Sequence, residues 1–428
     1  MKHLCLALGL TLGVACGPSN DAPDATDASD TPDGDAPDGD APDGDTPEDP
    51  TLAVVGDFGW DGLTCPTDTT PAESPADPRA RWCQKPDGTR HGPFGRWYPG
   101  PDDRLGTKAE GGAYADGAPT GPWRTWYPGG TVSTEGARAA TGRTGTWTSW
   151  RADRTRESVG QYDADLRTGA WTWYWPGGQL QAEGSYRAGA EDGLWHTYHP
   201  DGGDDASLTY AAGTLAGPYQ QFHPNGQRAA EGAYAAGLRA GPWTTWHDNG
   251  ERASAGTYTA GLATGPWQLW DRDGLPAAEG PYVAGLQHGT WALWQWQQGE
   301  RIKSTGEVVH GLPDGPWVAV HDPGAQPAGH LTYYLGSREG PAITIWKTGH
   351  TLSEGSYLAD QPQGPWKFYY ADGQLFIDCA FAHGLLDGPY RDYHADGTPK
   401  TDGTYLLGTL QEGAQCWTPA GVPEECTP

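Results

Sequence analysis

The sequence predicts an all-β fold: an elongated, twisted antiparallel meander of about 13 two-stranded hairpin repeats with a 24-residue period, forming an open single-layer sheet. Three observations support this prediction. A glycine followed by aromatic residues at fixed offsets recurs along most of the chain. Turn-forming residues separate two strand-like runs in each copy. The 22 Trp and 20 Tyr, against 6 Phe and 1 Met, favour rows of aromatic side chains on a sheet over an aliphatic core.

The N-terminus carries the features of an export signal. Met1-Lys2-His3 precedes an apolar run that ends at Ala15 and is too short to cross a membrane as a mature helix. Residues Leu12 to Cys16 resemble the bacterial lipoprotein signal, which implies that Cys16 is lipidated and becomes the mature N-terminus. An ordinary cleaved signal is the alternative. We therefore expect an exported lipoprotein anchored in a membrane, at the outer membrane or the cell surface.

The segment after Cys16 is predicted to be a disordered acidic tether. Residues 17–50 hold 12 Asp and Glu residues and no Lys or Arg, with Pro and Gly between them. The prolines interrupt the spacing that an EF-hand calcium loop requires. Without these 12 carboxylates and Lys2, residues 51–428 still carry a formal net charge of −17, against −28 for the whole chain. We expect no nucleic-acid partner, because this charge repels phosphates.

Cysteines indicate a cap at each end of the repeats. In an exported protein the local disulfide candidates are Cys65 with Cys83 and Cys416 with Cys426. Each pair would close a segment beside a terminal edge strand and protect that edge from pairing with other chains. Cys379 lies where other copies carry Gly, so we expect it to be unpaired. The predicted segments are a signal peptide (1–15), the lipidated Cys and tether (16–50), an N-terminal cap (51–91), the repeat array (92–412) and a C-terminal cap (413–428).

Each copy of the repeat begins with a glycine and continues into two aromatic columns. The starting glycines are Gly92, Gly121, Gly145, Gly169, Gly193, Gly217, Gly241, Gly265, Gly289, Gly315, Gly340, Gly364 and Gly388. The first aromatic column, two residues later, is Phe94, Trp123, Trp147, Trp171, Trp195, Tyr219, Trp243, Trp267, Trp291, Trp317, Ala342 (the exception), Trp366 and Tyr390. The second aromatic column, five residues after the glycine, is Trp97, Trp126, Trp150, Tyr174, Tyr198, Phe222, Trp246, Trp270, Trp294, Val320, Ile345, Tyr369 and Tyr393. An offset of three places the two columns on opposite faces of a strand.

The remainder of each copy predicts a hairpin. Turn residues such as Pro128-Gly129-Gly130 and Asp248-Asn249-Gly250 follow the aromatic strand, and the second strand ends in Glu-Gly-x-Tyr, as in Glu183-Gly184-Ser185-Tyr186. We expect aromatic rings to cover the Gly of this motif. A type I turn with a bulge and a two-residue Asn-Gly turn both fit, and they pair the strands differently. A Gly-rich loop such as Ala260 to Gly265 is expected to lead into the next copy.

This pattern resembles the MORN repeat family, and more closely its bacterial variant, which is often labelled antitoxin-like. The resemblance covers residues 84 to about 410 and depends on the repeated order of Glu-Gly-x-Tyr, Gly-x-Trp and x-x-Trp. It implies a meander of antiparallel hairpins instead of a closed globule. Choline-binding wall repeats also use glycine and aromatic hairpins, but their shorter period and Gly-Trp loop are absent here.

No residue pattern predicts catalysis or a metal site. His199, His223 and His247 occupy one position in successive copies, but equivalent positions in neighbouring hairpins are about 10 Å apart, too far to share a zinc ion. The Glu of the Glu-Gly-x-Tyr motif recurs with the repeat, as structural residues do. We therefore expect a non-enzymatic protein without a cofactor.

The sequence thus predicts an envelope-anchored scaffold that binds another macromolecule. A protein partner is the first hypothesis, and a polysaccharide of the cell wall or exterior is the alternative. Either aromatic column could be structural or could contact the ligand. Variable polar residues clustered on one face would favour a protein, and a continuous open row of rings would favour a carbohydrate.

Overall fold

The computed structural model describes residues 64–100, 105–297, 299–324 and 326–426, which form two compact units divided between Leu238 and Arg239. Every regular element in these ranges is a β-strand, and the strands form an open antiparallel sheet. The predicted all-β meander of hairpins is therefore confirmed. In the part of the chain that the structure describes, no helix could span a membrane. The predicted signal peptide, Cys16 and the tether lie outside the described residues.

The first unit, up to Leu238, contains fifteen strands. They are β1 (Thr70–Glu73), β2 (Ala80–Gln84), β3 (Arg90–Pro99), β4 (Leu105–Ala115), β5 (Ala118–Trp126), β6 (Val132–Ala139), β7 (Gly142–Trp150), β8 (Arg156–Asp163), β9 (Leu166–Tyr174), β10 (Leu180–Arg187), β11 (Ala190–Glu191), β12 (Gly193–Tyr198), β13 (Asp204–Ala211), β14 (Thr214–Phe222) and β15 (Arg228–Ala235).

The second unit contains the remaining strands, of which the first begins at the division itself. They are β16 (Leu238–Trp246), β17 (Arg252–Thr259), β18 (Leu262–Trp270), β19 (Pro276–Val283), β20 (Leu286–Gln287), β21 (Gly289–Gln297), β22 (Glu300–Val309), β23 (Leu312–Asp322), β24 (Gln326–Tyr334), β25 (Ser337–Arg338), β26 (Gly340–Ile345), β27 (Thr351–Leu358), β28 (Gln361–Tyr369), β29 (Leu375–Ala382), β30 (Leu385–Tyr393), β31 (Pro399–Leu406), β32 (Thr409–Leu410), β33 (Gln415–Trp417) and β34 (Pro423–Glu424).

One type of turn joins the two strands within a copy. At Pro128-Gly129-Gly130 the amide of Tyr127 donates to the carbonyl of Thr131 at 2.8 Å, and Gly130 has a φ of 85°. Asp248-Asn249-Gly250 has the same arrangement, with Gly250 at a φ of 87°. Both are type I turns followed by a glycine bulge. The two-residue Asn-Gly turn considered from the sequence is wrong, because the glycine takes the bulge position after the turn.

A tight two-residue turn joins one copy to the next. Ala260 and Gly261 both have positive φ, at 49° and 80°, and the flanking residues Thr259 and Leu262 pair directly. The predicted Gly-rich loop is therefore wrong: β18 begins at once, and Gly265 lies inside that strand with a φ of 66°. Gly265 belongs to a β-bulge, because the pairing register shifts between Ala255 and Thr257 on the partner strand.

Disulfides lie at both ends of the described chain. Cys65 is joined to Cys83 in β2, which pairs with β1 and β3. Cys416 in β33 is joined to Cys426, beyond β34. Cys379 is a buried free cysteine in β29. The two bonds lie beside the first and last strands, where an unprotected strand edge would pair with another chain.

Candidate binding surface

Aromatic rings of the first column cover the glycines of the Glu-Gly-x-Tyr motif, as predicted. A methyl group added at Gly160 would overlap the Trp171 ring of the neighbouring strand, and the two residues pair directly. The same overlap recurs at Gly112 with Trp123, Gly136 with Trp147, Gly184 with Trp195, Gly256 with Trp267, Gly280 with Trp291, Gly306 with Trp317, and Gly355 with Trp366. Only glycine leaves room for an indole lying flat on the strand.

The motif tyrosines complete the packing of the first column. Tyr186 lies edge-on between two indoles, with ring centroids 5.9 Å from Trp171 and 5.2 Å from Trp195. The Trp171 Nε1 donates to the carbonyl of Gln161 at 3.0 Å, so its polar atom is satisfied. Exposure of the side chain is 3% at Trp171 and 0% at Trp291. Apart from the half-buried Tyr390, the aromatic residues of the first column are therefore buried and form a structural row.

The second aromatic column lies on the opposite face of the sheet. Adjacent residues show this directly: Gly112 faces Trp123 of the first column, whereas Gly111 faces Trp126 of the second. We call the face that carries the first column the first face, and the other the second face. The rings at Trp126, Trp150, Trp246, Trp270 and Trp294 are half-buried, so they remain in contact with solvent.

Charged side chains cover the rings of the second column. The Lys303 Nζ lies 4.5 Å from the Trp294 ring centroid, and the Lys108 Nζ lies 5.2 Å from that of Trp126. Tyr198 instead donates its hydroxyl to the Glu183 carboxylate at 2.9 Å. Burial, with a smaller contribution from the charge of Arg124, lowers the pKa of Lys108 to about 8. These rings are thus partly accessible to solvent, and charged side chains lie over some of them.

The histidine column serves as a row of hydrogen-bond donors. The His247 Nε2 donates to the carbonyl of Trp270 at 3.0 Å, and the His199 Nε2 donates to that of Phe222 at 3.3 Å. Tyr127 fills the same position in its copy and donates to the carbonyl of Trp150 at 3.0 Å. The role is structural. Its sequence signal is that most copies have Tyr, Trp, Arg or His at this position, each of which can donate a hydrogen bond, whereas Asp271 is an exception.

A row of variable side chains crosses the second face beside the second aromatic column. Its members pair directly from strand to strand, and all but the buried Ala292 are half-buried or exposed. In the first unit this variable row consists of Glu135, Thr148, Val159, Thr172, Glu183, His196, Ser207, Gln220 and Glu231. In the second unit it includes Gln268, Glu279, Ala292, Thr305, Val318, His330, Ile343, Glu354, Lys367, Asp378, Arg391 and Asp402. Unlike the first column, this row differs in chemistry at almost every step.

Two segments of the chain match a known repeat family. Residues 167–188 and 362–381 match the MORN repeat variant. These segments are MORN-variant repeats. The other copies share the glycine and aromatic spacing of these two segments, so the array is a repeat scaffold. No curated protein is similar to the chain.

Three solved structures match this chain at low similarity. They are TcdB2-TccC3-Cdc42 (9% identity, TM-score 0.15, 77% of this chain and 20% of that chain), TcdB2-TccC3 (9%, 0.12, 80% and 18%) and TcdB2-TccC3 without its hypervariable C-terminal region (9%, 0.13, 81% and 22%). This chain therefore spans about a fifth of the length of each of these chains.

The described residues contain no group of three or more His, Cys, Asp or Glu side chains placed to hold a metal ion. Its free thiol is buried: Cys379 is 3% exposed, and burial, with the charge of Asp378, raises the pKa of that thiol to about 12. Such a thiol is a poor nucleophile at neutral pH.

Proposed function

We propose that this protein is an envelope-anchored, non-enzymatic MORN-variant scaffold that binds another protein through its second face. The observation that carries the proposal is the variable row. Structural positions in this array repeat from copy to copy, whereas the side chains of the row change and, except at the buried Ala292, remain in contact with solvent. A surface whose chemistry changes at each step is suited to recognising an irregular protein surface.

The charged side chains that lie over rings of the second column favour a protein partner rather than a carbohydrate. Sugar rings stack on open aromatic faces, but Lys303 and Lys108 already occupy positions over Trp294 and Trp126. The first column is buried and cannot serve as the ladder that the carbohydrate alternative requires. A protein partner can instead use the partly exposed rings as amphipathic contacts.

Charge divides the variable row into regions. Between Ala292 and Ile343 the row contains no Asp, Glu, Lys or Arg, and Val318 is 54% exposed. Beyond Ile343 the charges alternate in sign along Glu354, Lys367, Asp378, Arg391 and Asp402. A partner of this surface would place apolar side chains on the first region and complementary charges on the second.

Anchoring belongs to the same proposal and is supported by the sequence of residues 1–16. Lipidation of Cys16 would hold the array at a membrane, with the acidic tether as a spacer. Metabolic labelling with a radioactive fatty acid tests this point. We expect incorporation into the full-length protein and none into a Cys16→Ser variant; equal labelling of both would contradict the anchor.

Site-specific photo-cross-linking on the full-length protein in its own cells tests the binding surface. We would place a photoreactive residue at Thr172 or Gln220 in the variable row, and at Gln179 in an exposed turn as the control. The proposal predicts discrete protein adducts from the two row positions and none from the turn. Adducts of equal yield at Gln179, adducts with polysaccharide alone, or no adducts at the row positions would refute it.

A further inference from the structure

An arginine lies between two tyrosines in several copies, on the first face beside the turn that joins copies. Arg167 pairs directly with Tyr162, and its guanidinium donates to the Tyr186 hydroxyl of the next hairpin at 3.3 Å. Arg338 pairs with Tyr333 and lies 4.3 Å from the ring centroid of Tyr357. In this arrangement the guanidinium has an aromatic side chain on both sides, and Arg338 also binds the Asp360 carboxylate at 3.1 Å.

One copy breaks this pattern by placing two arginines opposite each other. In Glu135-Gly136-Ala137-Arg138, Arg138 takes the position of the motif tyrosine, and it pairs directly with Arg143. Arg143 keeps its aromatic neighbour, at 3.9 Å from the Tyr162 ring centroid. Like charges directly opposite on paired strands are unfavourable unless an anion compensates them.

The charges around this pair leave one guanidinium uncompensated. Arg143 uses its Nε and its backbone amide to bind the Asp165 carboxylate, at 2.8 Å and 3.0 Å. Those bonds, and only to a small extent the charge of Arg138, lower the pKa of Asp165. Arg138 lies 5.0 Å from the ring centroid of Trp123, and within the described residues its buried Nε has no hydrogen-bond partner. The guanidinium groups of Arg138 and Arg143 thus have one neighbouring carboxylate between them, that of Asp165, and Arg143 binds it.

We propose that Arg138 and Arg143 bind a carboxylate of a peptide, with the half-buried Tyr162 beside the carbon chain that carries it. Both arginines are only half-buried, so a ligand can reach them. A planar guanidinium donates two parallel hydrogen bonds to a carboxylate. The net charge of −17 on residues 51–428 disfavours a doubly charged phosphate more than a singly charged carboxylate, and the neighbouring Tyr162 ring suits an organic ligand.

The site lies on the first face, whereas the variable row lies on the second. It therefore goes beyond the proposed function and does not depend on it. Failure of cross-linking at Thr172 would leave the carboxylate site standing, and failure of the carboxylate site would leave the row standing.

Thermal unfolding of the full-length protein at constant ionic strength tests the site. The probes are N-acetylglutamate α-amide, which carries only a side-chain carboxylate, and N-acetylglutamine, which carries only a terminal one; neutral N-acetylglutamine amide and inorganic phosphate are the controls. We expect one of the two carboxylates to raise the unfolding temperature of the wild type more than either control does. Equal effects of carboxylate and phosphate, or no rise with either carboxylate, would overturn the proposal.

Variants assign the response to the arginine pair. Arg138→Tyr restores the residue that most copies carry, so it is expected to fold, and it should lose the carboxylate response. Arg138→Lys keeps the charge without the planar fork and should retain only part of it. Arg167→Gln, in the tyrosine-flanked setting, is the matched control and should respond like the wild type. An undiminished response in both Arg138 variants would show that the carboxylate binds elsewhere.

Discussion

The contact between a strand glycine and a flat indole is the residue-scale unit that the array repeats. Gly160 is covered by Trp171, and a Cβ there would overlap the ring. The indole is also held by its hydrogen bond to Gln161, which limits how far it can move aside. The identity of the glycine is therefore fixed by contact with its neighbour and not by its own backbone conformation.

Replacing such a glycine should be costly. We predict that Gly160→Ala lowers the free energy of unfolding by about 1–3 kcal/mol, the usual range for overpacking a buried site. Gly129 is the control, because a Cβ there meets nothing within 4 Å. Urea denaturation of both variants makes the comparison. Equal losses in Gly160→Ala and Gly129→Ala would show that the indole does not constrain the glycine.

Lys108 provides a residue-scale test through pH. Its pKa is lowered to about 8 in the folded protein from an ordinary value of 10.5. The unfolded chain therefore binds more protons than the folded protein between these values, and stability rises with pH across that window. We predict that the wild type gains stability relative to Lys108→Met between pH 8 and pH 10.5.

Thermal unfolding at several pH values measures this difference. Lys85→Met is the control, because hydrogen bonding to Asp116 raises the pKa of Lys85 above 10.5, so its contribution is constant below that pH. A wild-type curve parallel to that of Lys108→Met throughout would mean that the Lys108 amine is not desolvated in the folded protein.

At the scale of elements, the turns between copies impose a left-handed backbone on residues other than glycine. Leu407 has a φ of 47° and is 68% exposed, so its side chain gains little from packing. Asparagine tolerates this conformation better than leucine. We predict that Leu407→Asn raises the free energy of unfolding by about 1 kcal/mol.

The neighbouring Leu406 is the control that distinguishes the effect of backbone conformation from the effect of replacing an exposed leucine by asparagine. Leu406 ends β31, outside the left-handed region, and is 54% exposed. Leu406→Asn should give no gain, since asparagine is a poor strand residue. If chemical denaturation shows the same change for both variants, the left-handed conformation at Leu407 is not the source of the effect.

The elements also show how far sequence reasoning extends. The period, the hairpins and the rings over Gly160 and its equivalents follow from spacing and side-chain size. The turn at Asp248-Asn249-Gly250 does not, because the same residues are compatible with two types of turn. The direct pairing of Arg138 with Arg143 depends on the register between β6 and β7. The length of the turn between these strands sets that register, so the pairing can be recognised only once the turn is known.

At the scale of the whole molecule, the two faces of the sheet have different roles. The first face carries the buried indoles that hold neighbouring strands together, whereas the second carries half-exposed rings and the variable row. Sequence alone placed the two columns on opposite faces but left open which column a ligand could reach. Burial decides this, since it depends on how motif tyrosines such as Tyr186 close over one column only.

The most direct test of this division is hydroxyl-radical footprinting of the full-length protein, with oxidation of each tryptophan read by mass spectrometry. Trp296, 65% exposed, sets the upper reference, and Trp291, 0% exposed, represents the first column. We predict strong oxidation of Trp296, intermediate oxidation of Trp126 and Trp270, and protection of Trp171 and Trp291 until urea unfolds the chain. Oxidation of Trp171 and Trp291 in the native protein at a rate comparable to that of Trp296 would contradict the account.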